Sequence, residues 1–345
     1  NIEQHLNRYV YGQDKLTSIL AKSSAAYLNH LVSYEIDRTN GDQDVVPHSF
    51  TLLIGGDTGT GKTYTTKKLG EYLDVPVITV DVTSLSAEGY VGGSLSEVFK
   101  EAERTVNTFY SLQKTSREIF PYIIVFDEID KLLVQNKDMN NFYRKVQSGM
   151  LKCIEAGVDT SEKSKSLCYP YVILSGSFME SRSKNDDTSF RVGFNPPKEE
   201  ESKPIEHAEL LKYGLIPELV GRLPIITTLD KLEEHQLVDI LKNVKNNVIE
   251  QVKELMLYNN VELVFGDEYY RKVAELASSL DMGARSIKTI VENSLFYVMY
   301  NAPTLQDSGV VKIRFDKYPS TTAKPIAVYE DKTEKVLSDY RFFRE

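Results

Sequence analysis

Short apolar runs separated by helical stretches make up the first part of the chain. The runs cover residues 49–54, 75–82, 122–126 and 169–174. Each has the length of a strand that is buried on both faces. The spacing of apolar residues predicts helices over 95–114 and 142–155, and residues 1–48 also favour helix. Strands that alternate with helices predict an α/β fold with a parallel sheet covered on both faces.

The rest of the chain has a different pattern. Residues 181–206 are rich in Ser, Asn, Asp, Lys, Glu and Pro and predict a mobile surface loop. Amphipathic helices are predicted over 231–258 and 268–300, and short strands over 261–265 and 310–315. We therefore predict a large α/β domain over 1–228, which includes the loop, a smaller α+β domain over 229–330 joined to it near 227–230, and a C-terminal tail over 331–345.

Composition narrows the class of protein. Hydrophobic residues are 41% of the chain and charged residues 26%, as in an ordinary globular protein. No stretch approaches the roughly 20 apolar residues of a membrane helix, so no membrane partner is expected. The formal net charge of -9 argues against a protein that wraps nucleic acid. Cys153 and Cys168 are too few for a four-cysteine metal site and are expected to be free thiols.

A phosphate-binding loop follows the first predicted strand. The pattern G-x-x-x-x-G-K-[ST] is matched by Gly56, Asp57, Thr58, Gly59, Thr60, Gly61, Lys62 and Thr63, and Tyr64 follows. A strand before the pattern and a helix after it are the context that this motif requires. Its glycines let backbone N–H groups face phosphates at the positive end of the helix. Lys62 is expected to reach the β- and γ-phosphates, and the Thr63 hydroxyl to bind Mg²⁺.

Two adjacent carboxylates end the third predicted strand. Asp127 and Glu128 follow the apolar residues 122–126. Asp127 is expected to hold Mg²⁺, directly or through water, and Glu128 to act as the general base for the attacking water. An acidic turn after a strand means little alone. Together with a phosphate loop about 65 residues upstream, it predicts ATP hydrolysis.

Further segments resemble the ClpX branch of the AAA+ protein unfoldases, which belongs to the Clp/HSP100 family. The matching segments are residues 8–13 with Val10 and Tyr11, then Gly89, Tyr90, Val91 and Gly92, then 214–224 with Arg222, then Gly283, Ala284 and Arg285, and finally 324–329. They occur in the order of that family along nearly the whole chain. The resemblance implies an AAA+ P-loop large domain, a small C-terminal domain, and a homohexameric ring that binds ATP and Mg²⁺ between subunits.

The resemblance also implies a role for each segment. Val10 and Tyr11 would lie beside the adenine, and Tyr90 in the pore loop would grip polypeptides by contact area. Arg222 would act as an arginine finger on the ATP of the neighbouring subunit. Together with Lys62 and Glu128 it would make up the catalytic residues. Arg285 would approach the γ-phosphate as a second sensor.

The polar loop carries one further family feature. Val192, Gly193 and Phe194 fit the apolar-Gly-Phe tripeptide with which ClpX-like rings dock onto a ClpP-like peptidase. Several weak anchors on flexible tethers can add their affinities through effective concentration. The resemblance thus implies an unfoldase that threads unfolded or tagged proteins through its pore and delivers them to a peptidase. Its location would be the cytoplasm or, alternatively, an organelle matrix.

The sequence departs from the family in a few places. Gly93 stands where the family commonly has an acidic residue, and residues 157–170 lack the Arg-Lys-His element that engages substrate tags. No counterpart of the family's zinc-binding domain occurs within these 345 residues. We therefore expect a divergent member with its own substrates.

Other functions remain open alternatives. HslU shares the pore motif but carries an inserted domain for which the spacing from Lys62 to Asp127 leaves no room. A remodelling ATPase that works without a peptidase is a second alternative. A nucleic-acid motor or loader is a third, against which the acidic charge and Tyr90 between small residues argue. A module that only binds nucleotide is the fourth, and the pair of Lys62 and Glu128 argues against it.

Overall fold

A computed structural model describes most of the chain. The described residues are 1–40, 50–85, 95–115, 117, 119–133, 140–156, 167–178, 205–280, 282–320, 322–338 and 340. The chain divides into two compact units. The first unit comprises Asn1–Leu6, Gln13–Asp57 and Lys62–Asp230, and the second comprises Asn7–Gly12, Thr58–Gly61 and Lys231–Glu345. None of the helices in the described part of the chain is long and apolar enough to cross a membrane.

The first unit is built from five strands and the helices that connect them. In chain order its elements are α1 (Ile2–Leu6), α2 (Asp14–Thr39), β1 (Phe50–Gly55), α3 (Lys62–Leu73), β2 (Val77–Asp81), α4 (Leu95–Leu112), β3 (Ile119–Asp127), α5 (Asn140–Ala156), β4 (Leu167–Gly176), α6 (His207–Tyr213), α7 (Pro217–Val220) and β5 (Ile225–Thr228). Short 3₁₀ turns follow two of the strands, at Val82–Ser84 and Ile129–Leu133. The strands form one sheet in the order β2-β3-β4-β1-β5, and every pairing is parallel.

The sheet of the first unit is buried on both faces. One face packs against α4 and α5 through a cluster that includes Leu53, Val106 and Met150. The other face packs against α2 and α3 through a cluster that includes Leu20 and Leu69. Burial on both sides explains why the central strands read as continuous apolar runs. The predicted parallel sheet covered by helices is confirmed.

The second unit has its own sheet and core. Its elements are α8 (Glu234–Asn243), α9 (Val248–Leu257), β6 (Glu262–Phe265), α10 (Asp267–Ser279), α11 (Ala284–Tyr300), α12 (Ala302–Asp307), β7 (Val310–Phe315), β8 (Ile326–Tyr329) and β9 (Glu334–Val336). Strand β7 pairs parallel with β6 and antiparallel with β8, which pairs antiparallel with β9. Helices and sheet share one core, with Val273, Val291 and Ile313 completely buried. The predicted smaller α+β domain is confirmed as a fold.

The structure corrects several predicted elements. The N-terminal helix is interrupted between α1 and α2, where Gly12 has a φ of 73°. Thr227 and Thr228 end the edge strand β5, and the first unit ends two residues later at Asp230, within the predicted junction at 227–230. The expected tail over 331–345 contains β9, and Tyr340 is buried in the core of the second unit. Residues 7–12 and 58–61, assigned from the sequence to 1–228, group with the second unit.

Local chemistry explains where the helices of the second unit stop. Asn246 adopts a left-handed φ of 59° after α8, a conformation that asparagine tolerates better than most residues. The side chain of Asn247 then accepts a hydrogen bond of 3.0 Å from the N–H of Glu250 and caps α9. This break divides the predicted stretch 231–258 into two helices.

Cys168 lies on β4 inside the core of the first unit. Burial raises the pKa of its thiol to about 12, because the charged thiolate is poorly solvated there. The thiol is therefore protonated at neutral pH, which fits a structural side chain and not a reactive one.

Candidate functional site

The carboxyl ends of three strands meet at one edge of the sheet in the first unit. Gly55 at the end of β1 lies opposite Gly176 at the end of β4. Phe126 of β3 lies opposite Leu174 of β4, which brings the last residue of β3, Asp127, beside the end of β4. The carboxyl ends of strands in open α/β sheets are where ligands bind. The register of this sheet thus assembles the candidate site.

The carboxylate of Asp127 is bonded by two hydroxyl groups. Thr63 Oγ1 donates to Asp127 Oδ2 over 2.8 Å, and Ser175 Oγ donates to Asp127 Oδ1 over 2.5 Å. The N–H of Glu128 also donates to Oδ1, over 3.0 Å. Hydrogen bonds to a charged acceptor are shorter and stronger than those between neutral groups. These three bonds fix the orientation of the carboxylate.

Lys62 is held at the start of α3 by the carbonyl groups of its own loop. Its Nζ donates to the Gly56 carbonyl over 2.5 Å and to the Asp57 carbonyl over 2.8 Å. The N–H of Gly56 donates in turn to the Gly176 carbonyl over 3.1 Å. The ammonium group therefore lies against the loop beside the positive end of a helix, where two sources of positive potential add. An anion such as a phosphate suits this position.

Three glycines of the loop have positive φ angles. The values are 149° at Gly56, 82° at Gly59 and 96° at Gly61. A Cβ atom at Gly56 would lie 2.8 Å from the Cβ of Leu229. Residues with side chains rarely adopt such angles, so the glycines allow the loop to curl. This curl is what the sequence motif predicts for a loop whose N–H groups cradle phosphates.

Thr58–Gly61 belong to the second unit, and there the loop contacts the start of α11. The N–H of Ala284 donates to the Gly59 carbonyl over 3.1 Å. A Cβ atom at Gly59 would overlap the carbonyl oxygen of Met282. Thr60 is buried.

Glu128 has an unusual backbone conformation. Its φ is 58°, which costs a non-glycine residue roughly 1–2 kcal/mol. The Glu128 carbonyl accepts a 2.9 Å bond from the N–H of Lys131, and the Glu128 side chain is exposed. Strain of this kind clusters at functional sites. Glu128 and its neighbour Asp127 therefore have different surroundings: the side chain of Glu128 is exposed and that of Asp127 is partly buried.

The predicted adenine segment lies in the second unit. Val10 is buried and Tyr11 is 38% exposed. The carbonyl of Arg8 accepts a 2.8 Å bond from the N–H of Lys245. Tyr64, in the first unit, is exposed, and Lys68 Nζ lies 5.6 Å from the centre of its ring.

Some of the predicted site residues lie outside the group that is hydrogen-bonded to Asp127. Thr63 and Asp127 are hydrogen-bonded, and Lys62 directly precedes Thr63 at the start of α3. Arg222 is exposed on the turn between α7 and β5, and Arg285 is exposed in the first turn of α11. The pore segment (Gly89, Tyr90, Val91 and Gly92) and the docking tripeptide (Val192, Gly193 and Phe194) lie outside the described residues.

The sequence analysis missed Ser175 and Asp130. Ser175 is buried at the end of β4 and bonds Asp127, as described above. Asp130 Oδ1 accepts a 3.0 Å bond from the N–H of Ser177, which ties the turn after β3 to the end of β4. One signal was present in the sequence: Ser175 directly follows the apolar residues 169–174, as Asp127 follows 122–126.

Comparisons with known protein families agree with this geometry. A family model described as the AAA domain (Cdc48 subfamily) matches residues 48–226, which is just over half of the chain. The chain belongs to the AAA+ family of ATPases. A second model, described as the C-terminal, D2-small domain of ClpB protein, matches residues 232–309 of this AAA+ protein. The two matches together support membership of the Clp/HSP100 branch.

Relatives of known name match along most of the AAA+ chain. The ATP-dependent Clp protease ATP-binding subunit ClpX of Borrelia duttonii (strain Ly) is 28% identical over 94% of this chain and 79% of its own length. The protein of the same name from Bacteroides fragilis is 29% identical over 91% of this chain and 79% of its own length. This AAA+ protein is therefore similar to ClpX proteins throughout both units and binds nucleotide as an ATPase.

We expect Ser175→Ala to slow ATP hydrolysis by about tenfold or more, because it removes one hydrogen bond to a charged carboxylate. Nucleotide affinity should change little, since Lys62 and the loop glycines are untouched. Steady-state turnover and equilibrium binding of a fluorescent nucleotide measure the two effects. Ser175→Thr keeps the hydroxyl group and should restore most of the turnover. Equal turnover in wild type and Ser175→Ala would show that the bond has no role in hydrolysis.

Proposed function

We propose that this AAA+ protein is an ATP-dependent protein unfoldase that acts as a homohexameric ring and passes polypeptides through its central pore. The observation that carries the ATP-dependent part of the proposal is the bond between the hydroxyl of Thr63 and the carboxylate of Asp127. It joins the two residues that a nucleotide hydrolase needs for its metal, next to Lys62 at the phosphate loop. The names of the relatives and the order of the ClpX-like segments support the rest.

The residues at the strand ends fit ATP with Mg²⁺. One hydroxyl and one carboxylate, 2.8 Å apart, are the kind of oxygen ligands that Mg²⁺ takes when nucleotide phosphates complete its shell. Thr63 and Asp127 would hold the ion, and Lys62 would bind the β- and γ-phosphates. A bound Mg²⁺ supplies positive charge that neutralises the transferring phosphoryl group.

Glu128 is the proposed general base. Its side chain is exposed, whereas the Asp127 carboxylate accepts two hydroxyl bonds. The left-handed backbone at Glu128 turns the chain away from the direction of the strand. It would accept the proton of the attacking water. Arg222 is proposed to act on the nucleotide of a neighbouring subunit, where a guanidinium stabilises the charge that develops in the reaction. Arg285 is proposed to sense the γ-phosphate.

Tyr90 is proposed to transmit the work of hydrolysis to the substrate. It lies between Gly89, Val91 and Gly92 in the sequence. An aromatic ring with small neighbours can contact many different side chains without demanding a particular sequence. Unfolded or tagged proteins are therefore the proposed substrates.

A ClpP-like peptidase is the proposed partner. The relatives are named as ATP-binding subunits of a protease, and Val192, Gly193 and Phe194 match the apolar-Gly-Phe pattern of ClpX-like docking loops. Several such anchors on one ring would bind a peptidase ring through multivalency.

Replacing Glu128 with Gln should separate binding from hydrolysis. The amide cannot accept the proton of water, so hydrolysis should fall by about 10²- to 10⁴-fold. ATP should still bind and hold the ring together, which calorimetry and light scattering measure. The matched control Lys62→Ala should instead lose nucleotide binding. Normal turnover in Glu128→Gln would overturn the assignment of the base.

Replacing Tyr90 with Ala should uncouple hydrolysis from unfolding. We expect ATP turnover to stay close to wild type, since the nucleotide residues are intact, while unfolding of a stable fluorescent protein falls to background. Tyr90→Phe keeps the ring and should keep most of the unfolding rate. Intact unfolding by Tyr90→Ala would contradict the pore role, and stimulation of the wild-type ATPase by DNA alone would favour a nucleic-acid motor.

The double substitution Val192→Ala with Phe194→Ala tests the peptidase partner. Removing both apolar anchors should abolish degradation of a tagged substrate in the presence of a ClpP-like peptidase, while unfolding without the peptidase persists. Gel filtration of the mixed rings gives a second readout of docking. Degradation at the wild-type rate would show that the rings couple by other contacts, and an absence of degradation by the wild-type protein would favour a remodeller that works alone.

A further inference from the structure

The start of α11 is capped by the phosphate loop and not by its own side chain. The residue at the cap position is Gly283, which has no side chain that could cap the helix. The first four N–H groups of a helix have no partner within the helix, and a Ser, Thr, Asp or Asn at the cap usually satisfies one of them. Here the N–H of Ala284 donates to the Gly59 carbonyl over 3.1 Å. A loop carbonyl thus does the work of a capping side chain.

Two glycines make this contact possible. A Cβ atom at Gly283 would lie 3.1 Å from the Gly59 carbonyl oxygen and 3.3 Å from that of Thr58. A Cβ atom at Gly59 would overlap the Met282 carbonyl. Both residues also have positive φ angles, 82° at Gly59 and 55° at Gly283. The two backbones approach so closely that a side chain has no room at Gly59 and would press on the loop at Gly283.

The bond acts on the middle of the phosphate loop. Gly59 is flanked by Thr58 and Thr60, and its flexible backbone has no side chain that could anchor it. The orientation of the Gly59 peptide group determines where the following N–H, that of Thr60, points, because a peptide unit is planar. The bond from Ala284 opposes rotation of that plane.

We infer that the backbone N–H of Ala284 is a positioning group for nucleotide binding, which holds the phosphate loop in its phosphate-binding conformation through the Gly59 carbonyl. This inference rests on the proposed nucleotide site and adds a main-chain group from α11 to it. It differs from a role for the Arg285 side chain, since it acts without any side chain. It explains why a glycine, and not a stronger capping residue, precedes α11.

Ala284→Pro removes the N–H and places the proline Cδ where that hydrogen pointed, so the contact with the Gly59 carbonyl cannot form. Position 284 is the first residue of α11, where proline is well tolerated in helices. Gly283 lacks the Cβ that restricts residues before proline. Affinity for ADP and for ATP should fall by about two- to tenfold, as for the loss of one hydrogen bond. Hydrogen exchange of the peptide covering 56–63 should become faster in the nucleotide-free protein.

Two controls separate positioning from general stability. Val248→Pro also substitutes the first residue of a helix in the second unit, and Asn247 before it has an extended backbone that suits proline. It should keep wild-type nucleotide affinity and wild-type exchange of 56–63. Ala284→Ser keeps the N–H and should bind nucleotide like the wild type.

The outcomes are distinct. Unchanged affinity and unchanged exchange in a folded Ala284→Pro protein overturn the inference. If that variant does not fold, as judged by its melting temperature, Gly283→Ala is measured in its place, because its Cβ presses on the Gly59 carbonyl; unchanged affinity there overturns the inference too. A wild-type protein that binds neither ADP nor ATP refutes the proposed function itself.

Discussion

The carboxylate of Asp127 is the group on which the rest of the site depends. It ends a strand whose other residues are all buried, so its position is fixed by the register of β3 on β4. Two hydroxyl groups, from Thr63 and Ser175, then fix its orientation. One of these hydroxyls belongs to the helix that follows the phosphate loop, and the other to the neighbouring strand. If the register of the sheet shifted by one residue, the Asp127 side chain would lie on the opposite face and the site would not form.

Main-chain groups hold the remainder of the site. Lys62 is kept in place by two loop carbonyls, the loop begins with a bond from Gly56 to Gly176, and its middle accepts a bond from Ala284. Backbone contacts of this kind require small residues, which explains the density of glycines. They also resist substitution differently from side-chain contacts, because a new side chain at Gly59 meets backbone atoms that cannot rotate away.

The sequence predicted the fold for physical reasons, and it named Thr63 and Asp127, which the structure joins by a hydrogen bond. Buried parallel strands are continuous apolar runs, and the phosphate loop has a spacing that few other structures need. Strand β5 was missed because four residues after Pro224 carry too little periodicity. Ser175 was missed because a serine after a strand is common, and only the register between β3 and β4 gives it a partner. The bond between Gly59 and Ala284 joins residues that are far apart in the chain, a pairing that no local pattern records. The tail assigned to 331–345 shows the same limit, since the short exposed strand β9 has no apolar run of its own.

Asp127 and Glu128 are neighbouring carboxylates with different surroundings. Asp127 continues the strand and accepts hydrogen bonds from three donors, which is compatible with the metal ligand proposed for it. Glu128 turns into the left-handed region and is exposed, which is compatible with the general base proposed for it. Separate environments assign separate roles to paired carboxylates in many hydrolases. The bond from the Glu128 N–H to Asp127 Oδ1 helps to offset the strain of the turn, so the carboxylate proposed to hold the metal also stabilises the backbone of the proposed base.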